Sequence, residues 1–350
     1  MEKKTILVTG ASGFIGSFIC SKGLEQGLEV WAGMRSTSSS QYLKEEGMKF
    51  AQLDLGDYEK LRSQLHDYKE QMGRGWDYVV HAAGATKSID REGFFRTNTE
   101  GTKNLIRALM AEDMVPKRFV FVSSLSIFGA IRETPVRKAT SDNPWVYAPI
   151  GKGDVPQPNT AYGESKWQAE QFLQTLTDFP YVILRPTGVY GPRERDYFIM
   201  AKSIKQHVDF AVGYRPQEIT FVYVDDVVQA VYKTLDAPEV VGKAYFLSDG
   251  EVYGSRQFSD LLQRELGNPW VLHIKAPLWF LRLVCAVNGF VCNRLGKLTT
   301  LNLDKYHILA QRNWQCDIEP ARQDFGYQPQ VLLEEGVRRS VAWYKEAGWL

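Results

Sequence analysis

Cysteine is scarce in this chain: Cys20, Cys285, Cys292 and Cys316 are four in 350 residues, and no two form a CxxC pair. That spacing argues against a disulfide framework and a zinc ribbon, and a reduced, cytoplasmic setting is the expectation. Histidine is nearly as sparse. His66, His81, His207, His273 and His307 show neither an HExxH pattern nor close pairing, so no metal site is expected. A surplus of either charge is also missing, since 42 Lys+Arg face 41 Asp+Glu for a formal net of +1. Nucleic acid or an anionic membrane is ordinarily met by a clear basic excess, and the balance indicates neither. No apolar run reaches the about 20 residues that cross a bilayer. The stretch nearest to it, Leu278 to Leu295, is broken by Arg282, Asn288 and Arg294. The opening Met1-Glu2-Lys3-Lys4 leads into a short apolar run with no signal-peptide pattern, so export is not expected. Internal repeats and low-complexity segments are absent. What is present is ordinary for a globular chain, 44% hydrophobic and 24% charged residues. The length suits about two domains, or one large domain with a smaller companion.

The first half alternates short β-branched runs with longer amphipathic ones. Strands are expected at Thr5 to Thr9, Glu29 to Gly33, Lys49 to Leu53, Tyr78 to His81, Phe119 to Ser123 and Val182 to Arg185. Helices are expected near Phe14 to Gln26, Tyr58 to Asp67, Phe94 to Ala111 and Tyr162 to Thr177. This alternation predicts an α/β fold, a doubly wound parallel sheet of the Rossmann type, with a smaller, mixed C-terminal domain for the substrate. The expected division is residues 1–189 with about 219–240 for the dinucleotide, and about 190–218 with 241–350 for the substrate. Phe221 to Val224 reads as a strand and Asp225 to Leu235 as a helix. The long Pro- and Gly-rich stretch from Glu133 to Thr160 is expected to wall a pocket.

Thr5-Ile-Leu-Val-Thr-Gly10-Ala-Ser12-Gly13-Phe14-Ile15-Gly16 is the strongest local signal. Glycine is needed at the tight turn after the strand, at the approach to a pyrophosphate, and where helix meets sheet, while the helix N-terminus offers free N–H groups to phosphate. The spacing is GxxGxxG. In this fold the end of the second strand selects the nicotinamide dinucleotide, an acid for the ribose hydroxyls of NAD and an arginine for the 2′-phosphate of NADP. Here Met34 is followed by Arg35 and Ser36, with no acid. NADP(H) is therefore favoured, with NAD(H) possible. A second constellation is Ser123-Ser124 at the end of the fifth strand with Tyr162-Gly-Glu-Ser-Lys166 opening a helix. Residues four apart share a helix face, and an ammonium beside a phenol favours the phenolate. Tyr162 is then a proton donor to a carbonyl, or acceptor from an alcohol, with Ser124 holding the same oxygen.

With these motifs in their order the chain resembles an extended short-chain dehydrogenase/reductase of the NAD-dependent epimerase/dehydratase family. Further matching elements are Asp54-Leu55, His81-Ala82-Ala83-Gly84, Asn98 to Thr102, Val122 to Gly129, Leu184 to Pro192, Phe221 to Val227, and a C-terminal Phe325-Gly-Tyr-Gln-Pro with Leu333 to Gly336 and Trp343-Tyr344. The resemblance implies Ser124, Tyr162 and Lys166 as the catalytic trio. It implies cofactor contacts from the glycine loop, from Asp54 and Leu55 at the adenine, from Ala82, Ala83 and Gly84 at the middle, and from Pro186, Thr187, Gly188 and Val189 at the carboxamide. Asn98 is implied to support the active-site helix, with a purely structural role equally open, and Asp225 and Asp226 read as a helix cap. Thr86, Leu125, Ser126 and Arg193 are the candidate substrate contacts. Dehydratases of the family carry an acidic pair where Leu125 and Ser126 stand, so dehydration is disfavoured and the carbonyl-reductase-like branch is expected. Alternatives are a nucleotide-sugar epimerase that retains NAD, and a non-catalytic NADP(H)-sensing module. The family also implies a homodimer through the helices near Phe94 to Ala111 and Tyr162 to Thr177, and a small-molecule substrate.

Two segments outside these motifs carry open readings. Arg193, Glu194 and Arg195 form a charged stretch, first expected as a solvated face and second as a grip on a substrate phosphate. Pro277 to Leu295 is expected as a buried helix packed on the sheet, with an apolar substrate channel or a membrane face as alternatives.

Overall fold

The computed structural model describes residues 3–140, 146–296, 299 and 301–350. Its centre is a seven-stranded parallel sheet built from β1 (Thr5–Thr9), β2 (Glu29–Met34), β3 (Lys49–Gln52), β4 (Tyr78–His81), β5 (Arg118–Val122), β6 (Tyr181–Pro186) and, after four intervening short strands, β11 (Ala244–Leu247). The spatial order is β11-β6-β5-β4-β1-β2-β3. Strands buried on both faces read as continuous apolar runs, and the period of two sorts them. Ile6 and Val8 face one layer, formed by α1 (Phe14–Glu25) and α7 (Val224–Leu235). Leu7, Val79, Phe119 and Phe121 face the other, formed by α2 (Tyr58–Met72), α4 (Gly101–Ala111) and α5 (Ala161–Gln174). The chain winds outward in opposite directions from β1, which leaves a crevice at the carboxyl ends of β1 and β4, the usual ligand site of such sheets.

Element positions agree closely with the sequence reading, with three differences. Helix α2 runs on to Met72 and stops where Gly73 adopts φ 68°, the left-handed C-terminal position that glycine takes at little cost. The helix expected at Phe94 to Ala111 is composite: α3 (Arg91–Phe94), a π-helical turn Phe95–Glu100 holding Asn98, then α4. Third, β11 lies within the span assigned to the substrate domain, yet it pairs with β6 from Ala244↔Ile183 to Leu247↔Pro186. The main sheet therefore takes in Ala244–Leu247, and the second unit draws on segments both before and after it.

That unit is assembled from small sheets. β7 (Gly188–Tyr190) pairs with β10 (Phe221–Tyr223); β8 (Val208–Val212) pairs with β13 (Leu272–Ala276); β9 (Glu218–Ile219) lies between β12 (Tyr253–Gly254) and β14 (Asn313–Trp314). Around them lie α6 (Asp196–Lys205), α8 (Gln257–Glu265), α9 (Leu278–Arg294), α10 (Leu303–Ala310), α11 (Glu319–Phe325) and α12 (Leu333–Glu346). The described part of the Glu133 to Thr160 excursion is fastened to this unit. Glu218 is 2% exposed and its carboxylate accepts from the N–H groups of Val146 and Tyr147 and from the Gln315 amide. Three donors on one buried carboxylate satisfy a group that would otherwise be costly to desolvate.

Candidate active site

The glycine turn is dictated by close packing. Gly10 has φ +72°, and a Cβ there would sit 2.6 Å from the backbone nitrogen of Ala83. A Cβ at Gly16 would overlap the carbonyl of Gly10. Helix α1 opens at Gly13, with no side-chain cap and no acid in its first turn, so its N–H groups remain available to an anion. Ser12, Gly13, Phe14 and Ile15 form the half-open rim, and Gly16 is buried. Arg35 is exposed just past β2, beside exposed Ser36; its carbonyl accepts from the Ser38 N–H at 3.0 Å, while its guanidinium forms no hydrogen bond or ion pair with another described residue. Its charge reaches Asp54, whose carboxyl is held below the usual carboxylate range first by a 2.9 Å bond from Lys60 and more weakly by Arg35. Leu55 is half-buried behind it, its carbonyl accepting from the Asn104 amide at 3.0 Å. An uncommitted cation, a steric cradle and open helix N–H groups together suit a dinucleotide.

On the far side of the crevice, Ser124 comes after β5 and caps the turn Leu125–Ile127. Its Oγ accepts from the Ser126 N–H and donates to Ser126 Oγ, both at 3.1 Å. Helix α5 docks directly on this turn, because a Cβ at Gly163 would overlap the carbonyl of Ser126. Thr160 caps the helix by accepting from the Gly163 N–H at 3.0 Å. Tyr162 thereby meets Ser124. Burial raises the phenol pKa, and the hydrogen bond with Ser124 pulls it down. One turn on, Lys166 is 3% exposed. Its ammonium donates to the Val122 carbonyl at 2.9 Å and lies 4.8 Å from the centre of the Phe121 ring. Burial lowers its pKa to about 8, against the opposing charge of Glu170. Gly84 leaves room for this ammonium, since a Cβ there would sit 3.0 Å from Lys166 Nζ.

Asn98 is fully buried in the π-helical turn and braces this corner. Its amide donates to Ala85 O at 3.0 Å and Ser165 Oγ at 2.9 Å, while its oxygen accepts from the Ala85 N–H at 2.7 Å. These contacts fix the loop after β4 to α5. His81 at the end of β4 is sealed between Thr9 Oγ1 and Thr102 Oγ1, and burial holds its pKa down at about 3, so it stays neutral. Ala82 donates its N–H to Thr9 O at 3.2 Å, keeping the strand end in register beside Ala83. Pro186 ends β6, the neighbour of β5, and the chain runs on through Thr187 into Gly188 and Val189 of β7. Thr187 Oγ1 donates to Thr220 O at 2.8 Å, and a Cβ at Gly188 would sit 2.5 Å from Tyr197 Oη.

Residues 6–248 match the NAD dependent epimerase/dehydratase family. The chain belongs to that family. One relative, 31% identical over 96% of this chain and 98% of its own length, is the 2-alkyl-3-oxoalkanoate reductase of Stenotrophomonas maltophilia. Another, the UDP-glucose 4-epimerase of Vibrio cholerae, is 26% identical over 98% of this chain and 96% of its own. Among solved structures, dTDP-glucose 4,6-dehydratase from Bacillus anthracis in complex with NAD superposes with a TM-score of 0.73 at 16% identity, covering 98% of this chain and 97% of that one. This likeness shows the fold. As a member of the family the chain is an NAD(P)-dependent enzyme of the oxidoreductase, epimerase and dehydratase group.

Three sequence expectations change in this family setting. Leu125, expected at the substrate, is 1% exposed and packs in the core, whereas Ser126 of the same turn is half-buried. Arg193 is not a solvated loop residue. Its guanidinium donates to Ser17 Oγ at 2.9 Å and lies 4.5 Å from the Phe18 ring and 4.7 Å from the Tyr42 ring, clasping α1. Its role is to brace the glycine-turn helix, and burial lowers its pKa. The segment Pro277 to Leu295 forms α9, but only Leu281 and Cys285 are buried, and its partner is α10 rather than the sheet.

Sequence reading also missed Asp304. At the start of α10, its carboxylate accepts from the Ala161 N–H at 2.9 Å, one residue before Tyr162. An acid at a helix N-terminus satisfies an orphan donor and opposes the helix dipole. No local signal joins positions so distant in the chain. Thr86 is exposed, next to Lys87, which pairs with Asp196 of α6 at 2.6 Å; Lys305 of α10 approaches the same carboxylate at 3.8 Å. These ion pairs tie α6, α10 and the loop after β4 together.

Proposed function

We propose that this chain is an NADPH-preferring reductase that converts a carbonyl to an alcohol, and runs in reverse on the alcohol, with Tyr162 as the proton donor or acceptor. The observation that carries this reading is the meeting of Tyr162 with Ser124, one helical turn before the buried Lys166. A nicotinamide dinucleotide, when bound, supplies the hydride donor or acceptor. Gly10, Gly13, Gly16 and the α1 N–H groups would hold its pyrophosphate, Arg35 and Ser36 its 2′-phosphate, Asp54 and Leu55 its adenine, and Ala82, Ala83, Gly84 and Pro186 to Val189 the remainder. Ser124 Oγ orients the substrate oxygen. The Tyr162 phenol gives up its proton to that oxygen, and the Lys166 charge favours the phenolate left behind. Burial keeps the phenol protonated at neutral pH, which suits the reductive direction. The relative named as a 2-alkyl-3-oxoalkanoate reductase supports the reductase branch and makes a 2-alkyl-3-oxo acid the first substrate to try.

The purified protein should oxidise NADPH only when a ketone or aldehyde is added, with a kcat/KM well above that for NADH. Replacing Arg35 by serine should lower kcat/KM for NADPH about 10- to 100-fold, the loss of one charge-assisted phosphate contact, and leave NADH nearly unaffected. Equal losses with both cofactors would sink the role given to Arg35. Protein that carries tightly held NAD and turns over a nucleotide-linked sugar without added NADPH would be an epimerase, and no turnover in any panel would leave a binding module.

We further propose a homodimer through α4 and α5. Supporting this, the outward side of that pair shows exposed Met110, and Arg107 stacked 5.2 Å from the Phe172 ring. Solution scattering should report twice the mass of one chain, and Met110→Glu should lower it; a single-chain mass at working concentration would contradict the pairing.

A further inference from the structure

Helix α9 is apolar around most of its circumference, yet the fold covers one side of it. Leu281 and Cys285 are buried, and Asn288 holds the returning chain by donating to Leu301 O at 2.8 Å. The opposite side turns Trp279, Phe280, Leu283, Val287, Phe290 and Val291 to solvent, at exposures from 45% to 69%. Positions 279, 283, 287 and 290 keep the four-and-three spacing of one helix face. Just before α9 in the chain, Leu272 and Ile274 of β13 are also exposed, the latter opposite exposed Phe210 of β8. A contiguous apolar face of this size on a folded domain marks an interaction surface.

Charge decides what covers it. From Leu266 to Leu303 the sequence has no aspartate or glutamate and carries Lys275, Arg282, Arg294 and Lys297. The near-zero balance of the whole chain conceals this local run of one sign. Arg282 and Arg294 form no ion pair with a described residue, and Arg294 lies 5.1 Å from the Phe290 ring at the edge of the apolar stripe. A second copy meeting this face about a two-fold axis would set cation against cation. No helix among the described residues is long and apolar enough to cross a membrane. A helix with an exposed aromatic and aliphatic face, flanked only by cations, suits the headgroup boundary of a bilayer.

We propose that α9 lies flat on an anionic lipid surface, its apolar face in the acyl boundary and Arg282 and Arg294 against lipid phosphates. The surface is connected to the catalytic corner, because α10 packs on α9 and its Asp304 caps α5 beside Tyr162.

The test mixes the full chain with vesicles of phosphatidylcholine alone and of phosphatidylcholine with phosphatidylglycerol. Co-sedimentation is expected with the second only, and high salt should reverse it by screening. Arg282→Gln combined with Arg294→Gln should weaken partitioning roughly thirtyfold, about fivefold for each cation removed. Trp279→Ser combined with Phe290→Ser should abolish it. Failure of the wild-type chain to bind anionic vesicles, or equal binding to neutral ones, overturns the proposal without reference to any variant's folding. A scattering mass that falls in the Trp279→Ser, Phe290→Ser variant, with no vesicle binding by the wild type, assigns the face to a second copy and likewise overturns it.

Discussion

Tyr162→Phe should lower turnover by about 10²- to 10⁴-fold, the usual contribution of a positioned general acid, while NADPH still binds. The phenol sits in the first turn of α5, and phenylalanine fills the same volume beside Phe94, whose ring centre is 6.3 Å away. Only the proton and the hydrogen bond with Ser124 are lost. The pH profile gives an independent check. Because burial raises the Tyr162 pKa, carbonyl reduction should hold steady through neutral pH, whereas alcohol oxidation, which needs the phenolate, should rise as pH rises. Lys166→Met removes the charge that favours the phenolate and should move the oxidation profile to higher pH. A Tyr162→Phe enzyme keeping a tenth or more of wild-type turnover would remove this residue from the chemistry.

The largest expected loss of stability lies four residues beyond Lys166 along α5. Glu170 is fully buried and Arg185 of β6 nearly so, joined at 2.6 Å, with the guanidinium between the rings of Phe128 at 5.3 Å and Phe246 at 5.6 Å. Breaking a buried pair by removing one partner leaves an uncompensated charge and costs about 3–5 kcal/mol. Glu170→Gln should therefore lower the melting midpoint by roughly 10 °C for a domain of this size. Replacing both, Glu170→Leu with Arg185→Met, should recover much of the loss, since apolar packing can stand in for a buried pair. The Glu170 charge also raises the Lys166 pKa, so Glu170→Gln should push that pKa below its value of about 8 and reduce the ammonium fraction at neutral pH. A melting midpoint within about 2 °C of wild type would refute the energetic argument.

The parts legible in the sequence are those whose geometry is local. The glycine turn announces itself because Gly10 and Gly16 are each excluded from carrying a side chain by atoms within a strand and its next turn, or on the adjacent strand. The Tyr162 and Lys166 pair is legible because helix spacing alone puts both on one face. Strand β11 is lost among loops, since four residues, Ala244–Leu247, are too few to show a period. Arg193 reads as a charged loop residue until Tyr42 and Phe18 close on it, and Asp304 carries no mark of its service to α5. The expectation for α9 fails for another reason. Apolar composition tells that a helix seeks cover, and the cover is here incomplete within the chain.

The family match ends at residue 248, yet residues from the last quarter of the chain complete the packing around the sheet. Asp226 in the first turn of α7 accepts from the N–H groups of Gln330 and Val331 at 2.7 and 3.1 Å. Fully buried Tyr190 of β7 lies against Gly336 of α12 so closely that a Cβ there would overlap its hydroxyl. The C-terminal segment is thus a keystone of the sheet. A chimera that borrowed this tail from a relative would have to bring a partner for Asp226 and a glycine opposite Tyr190, or the tail would arrive on a sheet that no longer closes.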